Sequence, residues 1–177
     1  MSAAKRNNNG TERLTQPVFR EVPEDINEDW NWGVLVGGMA SNDLLNARAF
    51  KRAADVLVDE GLKSEAPYEV AYPILYLYRH AIELYLKAIV RPAKLDHKLG
   101  PLVISLEALF KSKYRQKLPA WTKDRLKDFA RIDVDSFAFR YASDKHRQPT
   151  IPSEWWVELG HLRTVMSRLV EGFEKLV

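Results

Sequence analysis

Two residues that could do chemistry together are Arg140 and His146, separated by five residues. An imidazole with an ordinary pKa of about 6.5 can take up and return a proton near neutral pH. A guanidinium can hold two phosphate oxygens while charge builds on phosphorus. Together they would suffice for metal-independent cleavage of RNA by its own 2′-hydroxyl. The simpler interpretation is that both side chains are solvated in a polar loop.

The surrounding segment, residues 133–151, has no helical pattern. Phe137, Phe139 and Tyr141 alternate with smaller or polar residues, so their rings could anchor a short extended stretch. Asp144 and Lys145 directly precede His146, where they would support it or contribute to binding. We expect an irregular or short extended segment, bent so that the guanidinium and the imidazole lie side by side.

The other segments are predicted to pack around residues 72–91, which are apolar on nearly every side. The exceptions are Arg79, Glu83 and Lys87, spaced four residues apart on one helical face, with His80 beside them. Buried charges of this kind cost free energy unless they are paired. They form either an internal ladder of ion pairs that fixes helix docking, or the support of a functional site.

Further helices are predicted from apolar spacing and capping residues. The first has Ser41 or Asn42 as its cap and Gly61 as its stop. The last follows Pro152 with Ser153 as its cap. Two shorter helices cover about residues 101–113 and 121–132.

Apolar residues in the last helix alternate in steps of four and three. They are Trp155, Leu159, Leu162, Met166, Leu169, Phe173 and Leu176. This narrow seam is typical of burial against one neighbouring helix, within the chain or in a homodimer. Trp156 lies outside the seam and favours a second contact face. Since no strand alternation of useful length occurs, we predict an all-α, up-and-down bundle of about five helices.

Length and composition restrict the alternatives. The 177 residues, 46% of them hydrophobic, fit one domain, predicted over residues 30–177 after a mobile tail at residues 1–29. Residues 30–40 combine Trp and Gly and suggest a short extended piece. A net charge of +3 permits an anionic partner. The absence of cysteine excludes thiolate catalysis and disulfides, and we expect a cytoplasmic protein without membrane contact.

Motifs for other enzyme classes are missing from the sequence. Dinucleotide, P-loop, zincin and α/β-hydrolase signatures do not occur. The four histidines, His80, His97, His146 and His161, are too scattered to predict a metal site. We therefore expect no cofactor.

Three stretches resemble the HEPN domain family, in the order in which that family displays them. They are YLYRHAIELYLKAIV at residues 76–90, DHKLGPLVISL at 96–106 and DSFAFRYASDKH at 135–146, followed by a long amphipathic helix. The resemblance covers about residues 41–177. It implies an up-and-down helical bundle that usually dimerises, with a composite cleft at the dimer interface.

Catalytic members of the HEPN family are metal-independent ribonucleases of toxin–antitoxin, phage-defence and CRISPR systems that use an R-x(4–6)-H motif. The resemblance implies that His146 transfers the proton and that Arg140 clamps the phosphate, with Asp144 as polar support. Arg79, His80 and Glu83 would then lie behind the pocket or form part of it. The implied partners are RNA or a nucleotide, a second copy of the chain, and a cognate antitoxin or nucleotidyltransferase.

Two departures from the family pattern keep an alternative open. The toxin branch often has a tyrosine two positions after the histidine, where this chain has Gln148. Relatives with an F-R-Y-P-x-D stretch also need not keep the histidine. The alternative is a non-catalytic HEPN-like module that binds a nucleotide, RNA or a partner protein, or a helical dimer used for assembly.

Overall fold

The computed structural model describes residues 18–19, 42–94 and 96–177. In this part of the chain it contains five helices, α1 (Asp43–Lys63), α2 (Tyr68–Val90), α3 (Leu99–Lys113), α4 (Ala120–Ile132) and α5 (Leu159–Glu174). The predicted all-α class with about five helices is confirmed. None of these helices is long and apolar enough to cross a bilayer. Apart from Val18 and Phe19, the predicted tail and the segment at residues 30–40 lie outside the described residues.

Helix α2 is the central element, as its apolar sequence predicts. It packs against α1, α3 and α5. Residues 81–86 are all buried, and six successive residues cover more than one full turn of 3.6 residues. The middle of α2 is therefore enclosed on every side, so its charged side chains must find their partners within the protein.

Helix α5 buries most of the predicted seam inside the chain. Five residues of the seam are at most 9% exposed: Leu159, Leu162, Met166, Leu169 and Phe173. Trp155, also predicted to belong to the seam, is 51% exposed. The Phe173 ring lies 5.5 Å from the ring of Tyr85 on α2. The seam thus packs against neighbouring helices of the same chain, and a homodimer would have to use another surface.

The predicted start of this last helix is wrong. Helix α5 begins at Leu159, and its cap is Glu158 instead of Ser153, because the Glu158 carboxylate accepts two backbone N–H groups of the first turn. The preceding residues 152–158 are exposed and not helical. Trp155 lies in that stretch, with its ring 5.0 Å from the Arg131 guanidinium at the end of α4.

Gly61 lies inside α1 and does not end it. The helix continues to Lys63, and at its start Asn42 accepts a backbone N–H at 2.9 Å. A Cβ atom at Gly61 would lie 3.0 Å from the side chains of Leu159 and Val70. The glycine therefore permits a close approach of α1 to α2 and α5, which a local stop signal does not reveal.

The segment between α4 and α5 is irregular, as predicted, but residues 137–141 form turns instead of a short extended stretch. The N–H groups of Arg140 and Tyr141 both donate to the carbonyl of Phe137, at 3.1 and 3.2 Å. Phe139 is buried, whereas Phe137 and Tyr141 are exposed. The three aromatic residues therefore do not share one face.

Candidate functional site

The α2 stripe, consisting of Arg79, Glu83 and Lys87, is a ladder of ion pairs inside the protein. Nη1 of Arg79 lies 2.6 Å from Oε2 of Glu83, and Nζ of Lys87 lies 2.7 Å from Oε1 of the same carboxylate. The side chains of Arg79 and Glu83 are fully buried. The internal ladder expected from the spacing of four residues is therefore present.

Two loops bring further partners to the α2 stripe. In the loop between α2 and α3, Nδ1 of His97 lies 2.9 Å from Oε1 of Glu83, and the His97 carbonyl accepts a hydrogen bond from Arg79. Just after α4, Oδ2 of the buried Asp133 lies 3.1 Å from Nε of Arg79. Two cations and two carboxylates thus balance each other's formal charge, which reduces the free-energy cost of burying them.

Asp133 also fixes the turn that carries Arg140. Its Oδ1 accepts the N–H groups of Phe137 at 2.6 Å and Ala138 at 2.9 Å. The carbonyl of Ser136, in turn, accepts the Nε–H of Arg140 at 2.6 Å. The buried network on α2 therefore helps to set the path of the chain that presents Arg140.

Arg140 lies on the surface against two aromatic rings. Its Cζ is 5.9 Å from the ring centre of Tyr76 on α2 and 5.5 Å from that of Tyr141. Both distances are within the range of a cation–π interaction. Among the described residues, only the Nε of this guanidinium has a hydrogen-bond acceptor. Its two terminal amino groups are therefore available to a ligand.

His80 connects these aromatic groups to the α2 stripe. Its ring stacks on Tyr76 at 5.8 Å with an interplanar angle of 7°, and it meets Phe50 edge-on at 4.5 Å. Its Nδ1 lies 3.9 Å from Oε2 of Glu83. Burial lowers the pKa of His80, and the nearby Glu83 carboxylate does not restore it to the usual value of 6.5. At neutral pH, His80 is therefore an uncharged packing residue.

His146 lies in a turn that is held together by Asp144. Oδ1 of Asp144 accepts the N–H groups of His146 at 2.7 Å and Gln148 at 2.9 Å. The N–H of Asp144 donates back to the Gln148 carbonyl at 2.9 Å. The side chains of His146 and Lys145 are exposed and have no hydrogen bond or ion pair within the described part of the chain.

The structure does not bring Arg140 and His146 into contact within one chain. No hydrogen bond or ring contact joins them in the residues that the structure describes. The physical reason is that Asp133 and Asp144 each organise a separate tight turn, one for each side chain. Joint action of the two side chains remains a prediction.

His97 is the candidate that the sequence analysis did not single out. Its side chain is 64% exposed although its Nδ1 contacts the fully buried Glu83. Burial alone would raise the pKa of Glu83, but hydrogen bonds from Lys87, His97 and Arg79 outweigh that effect and lower it. Glu83 is thus an anion at neutral pH, so Nδ1 of His97 carries the hydrogen and Nε2 is left as the exposed acceptor. One feature of the sequence could have identified His97: it lies in the loop directly after a helix whose buried charges needed partners.

Two groups of side chains therefore lie along α2: Arg140 with its two tyrosines, and the α2 stripe with His97 and Asp133. None of the protein-family models, curated proteins or solved structures compared with this chain matches it. The resemblance to the HEPN family thus depends on the three stretches of sequence alone.

Proposed function

We propose that this protein is a HEPN-like module that binds single-stranded RNA or a nucleotide. The binding surface is the aromatic platform, defined as Arg140 with Tyr76 and Tyr141. The observation that carries the proposal is the exposed Arg140 guanidinium, held against both rings while its terminal amino groups have no acceptor among the described residues.

The chemistry of the aromatic platform suits such a ligand. A guanidinium donates two parallel hydrogen bonds to a phosphate, and aromatic rings stack on exposed bases of a single strand. Base stacking on a protein ring is worth about 1–3 kcal/mol per base. Lys145 and Arg147 are exposed in the neighbouring turn and add positive charge. The net charge of +3 is compatible with an anionic ligand.

Binding is tested with a labelled single-stranded RNA in which every 2′-hydroxyl is methylated, so that cleavage by that hydroxyl cannot occur. Arg140→Ala removes a charged hydrogen-bond donor worth about 1.5–3 kcal/mol, so we expect about 10- to 100-fold weaker binding by fluorescence anisotropy. The matched control is Arg131→Ala, which removes another exposed arginine held against an aromatic ring, 5.0 Å from that of Trp155.

Equal binding by the wild-type protein and both variants would reject the aromatic platform. An equal loss in both variants would indicate general attraction between charges instead of a defined site. Arg140→Ala should also reduce the slope of log affinity against log salt by about one, because one phosphate contact is lost. Repeating the titration with a nucleoside triphosphate distinguishes a nucleotide ligand from RNA.

A second candidate function is metal-independent RNA cleavage by Arg140 and His146. The observation that favours it is the hydrogen-bonded turn of Asp144, which fixes the backbone at His146 and leaves the imidazole exposed. A composite cleft in a homodimer would supply the two groups from different copies, and light scattering tests for that dimer. With EDTA present, Arg140→Ala and His146→Ala should each abolish cleavage of unmodified RNA while leaving the helical circular dichroism unchanged. Full cleavage by both variants would remove this candidate.

A further inference from the structure

The geometry points to a second reactive group beside α2: we propose that His97, oriented by Glu83, takes the proton from a 2′-hydroxyl of bound RNA. This inference rests on the proposed RNA-binding function and adds a cleavage site to it. The arrangement on which it depends is the 2.9 Å contact between Nδ1 of His97 and the buried carboxylate of Glu83. His97 is the catalytic residue of this proposal, and Glu83 is its positioning residue.

Glu83 holds the imidazole in the protonation form that a general base needs. An anionic carboxylate can only accept, so the shared hydrogen belongs to Nδ1, and the lone pair of His97 lies on Nε2. Lys87 and Arg79 keep Glu83 ionised, at 2.7 and 2.6 Å from its two oxygens. The carboxylate therefore orients the imidazole, without taking the proton itself.

The other described histidines lack this combination. His80 is largely buried and stacked on Tyr76, and burial lowers its pKa. His146 is exposed, but its ring has no orienting partner within the described residues. His161 is exposed on α5, and its ring has no hydrogen bond or ion pair in the part of the chain that the structure describes. His97 combines a buried carboxylate at one ring nitrogen with a side chain that is 64% exposed.

The loop that carries His97 is suited to an anionic substrate. Residues 91–98 contain three cations, Arg91, Lys94 and Lys98, all exposed. Lys98 makes an ion pair at 3.4 Å with Asp135, and both partners are mostly exposed, so the pair is weak in water. Asp96 is the acid of this loop, and its carboxylate accepts the backbone N–H of Lys98 at 3.0 Å. The loop that carries the imidazole thus has three exposed cations against one acid.

A strand on the aromatic platform can reach this loop. Tyr76, His80 and Glu83 follow one face of α2 at spacings of four and three residues. Tyr76 and Glu83 are seven residues apart, which corresponds to about 10 Å along a helix. A phosphate held by Arg140 beside Tyr76 and a phosphate near His97 can therefore belong to the same short single strand.

The reaction that follows is an internal transphosphorylation. The 2′-hydroxyl proton moves to Nε2 of His97, the 2′-oxygen forms a bond to phosphorus, and the bond from phosphorus to the 5′-oxygen breaks. The leaving 5′-oxygen takes a proton from water, and the His97 imidazolium then returns its proton to the hydroxide. The products are a 2′,3′-cyclic phosphate and a 5′-hydroxyl, so no oxidant or external nucleophile is consumed.

The decisive variant is His97→Asn, because the asparagine amide can still donate to Glu83 but cannot take up a proton. Loss of a general base lowers the rate by about 100- to 10,000-fold. We expect that loss in cleavage of unmodified RNA with EDTA present, while binding of the 2′-O-methylated RNA is unchanged. Added imidazole should restore part of the activity to His97→Gly, a rescue that a purely structural role would not show. His161→Asn is the matched control and should cleave normally.

Glu83→Gln tests the positioning role through its separate effects on kcat and KM. Loss of the carboxylate removes the partner that fixes the tautomer and orientation of the imidazole, so kcat should fall by a larger factor than KM rises. An unchanged kcat would assign Glu83 to structure alone.

Several outcomes overturn the inference and leave RNA binding intact. If the wild-type protein binds RNA through Arg140 but does not cleave it in EDTA, His97 has no catalytic role. Normal cleavage by His97→Asn has the same meaning, and loss of cleavage in His146→Asn alone would place the base at His146.

The opposite outcome separates the two proposals as well. If cleavage depends on His97 but Arg140→Ala binds normally, the aromatic platform is wrong and the His97 site stands.

Discussion

Arg79→Met tests most directly how the buried network stabilises the fold. The Arg79 guanidinium is fully buried and lies 2.6 Å from Glu83 and 3.1 Å from Asp133. Methionine keeps an unbranched apolar side chain but removes the charge. Two carboxylates would then face one remaining cation, Lys87. The substitution therefore leaves an uncompensated negative charge inside the protein.

The expected loss of stability is large for a chain of this size. Breaking a buried ion pair by removing one partner costs about 3–5 kcal/mol. Domains commonly unfold with a total of about 5–15 kcal/mol, so the variant loses much of its margin. With a shift of about 2–4 °C per kcal/mol, the melting temperature should fall by about 6–20 °C.

The measurement is urea unfolding followed by far-ultraviolet circular dichroism, with Arg163→Met as the control. Arg163 also lies on a helix and pairs with Asp59, but its side chain is 38% exposed. Exposed pairs contribute at most about 1 kcal/mol, so this variant should lose far less. Adding Asp133→Asn to Arg79→Met removes one surplus carboxylate charge. The loss of stability in the double variant should therefore be smaller than the sum of the losses in the two single variants.

Equal unfolding midpoints for Arg79→Met and Arg163→Met would refute this reasoning. That result would mean that water reaches the α2 stripe, or that the helices relax, so that burial no longer increases the cost of the missing charge. If Arg79→Met clearly loses stability and the loss in the double variant equals the sum of the two single losses, only the pairing of Arg79 with Asp133 is refuted.

Two other substitutions test packing and charge. Gly61→Ala should destabilise by about 1–3 kcal/mol, because its Cβ would lie 3.0 Å from Leu159 and Val70. Gly172→Ala, with nothing within 4 Å, should stabilise by about 0.5–1 kcal/mol; melting shifts of the same sign would contradict one of the two predictions. Burial lowers the pKa of His80 in the folded protein. As the pH falls below 6.5, His80 is therefore protonated in the unfolded chain before it is protonated in the folded one, and the free energy of unfolding decreases. His80→Phe should flatten this loss in urea titrations as the pH falls below about 6.5, whereas the loss from Glu83 begins only below 4.5.

The sequence predicts the helices well where the signal is local. Apolar spacing identified α2 as the central element, and it placed α3 and α4 within two residues of their observed starts. The errors at Gly61 and Ser153 have a common cause. Gly61 has the local signal of a helix end, but its packing against other helices keeps it inside α1. Ser153 has the local signal of a helix start, but Glu158 caps the helix instead.

The residues of the candidate site also fall into those that local spacing predicts and those that it does not. Arg79, Glu83 and Lys87 were predictable as a ladder, because one helix fixes the geometry of residues four apart. His97 and Asp133 are 14 residues from Glu83 and 54 residues from Arg79, respectively, so their positions depend on how two loops close over α2. Periodicity carries no information about such contacts.

These two loops explain why the exposed candidates lie where they do. The charged stripe in the middle of α2 requires partners, and each loop that supplies one also carries an exposed group at its surface. The loop of His97 presents that imidazole itself, and the turn after Asp133 presents Arg140. A buried structural network and an exposed site are thus parts of one arrangement. Substitutions in the α2 stripe should therefore weaken ligand binding as well as stability, whereas Arg140→Ala and His97→Asn should affect function with little loss of stability.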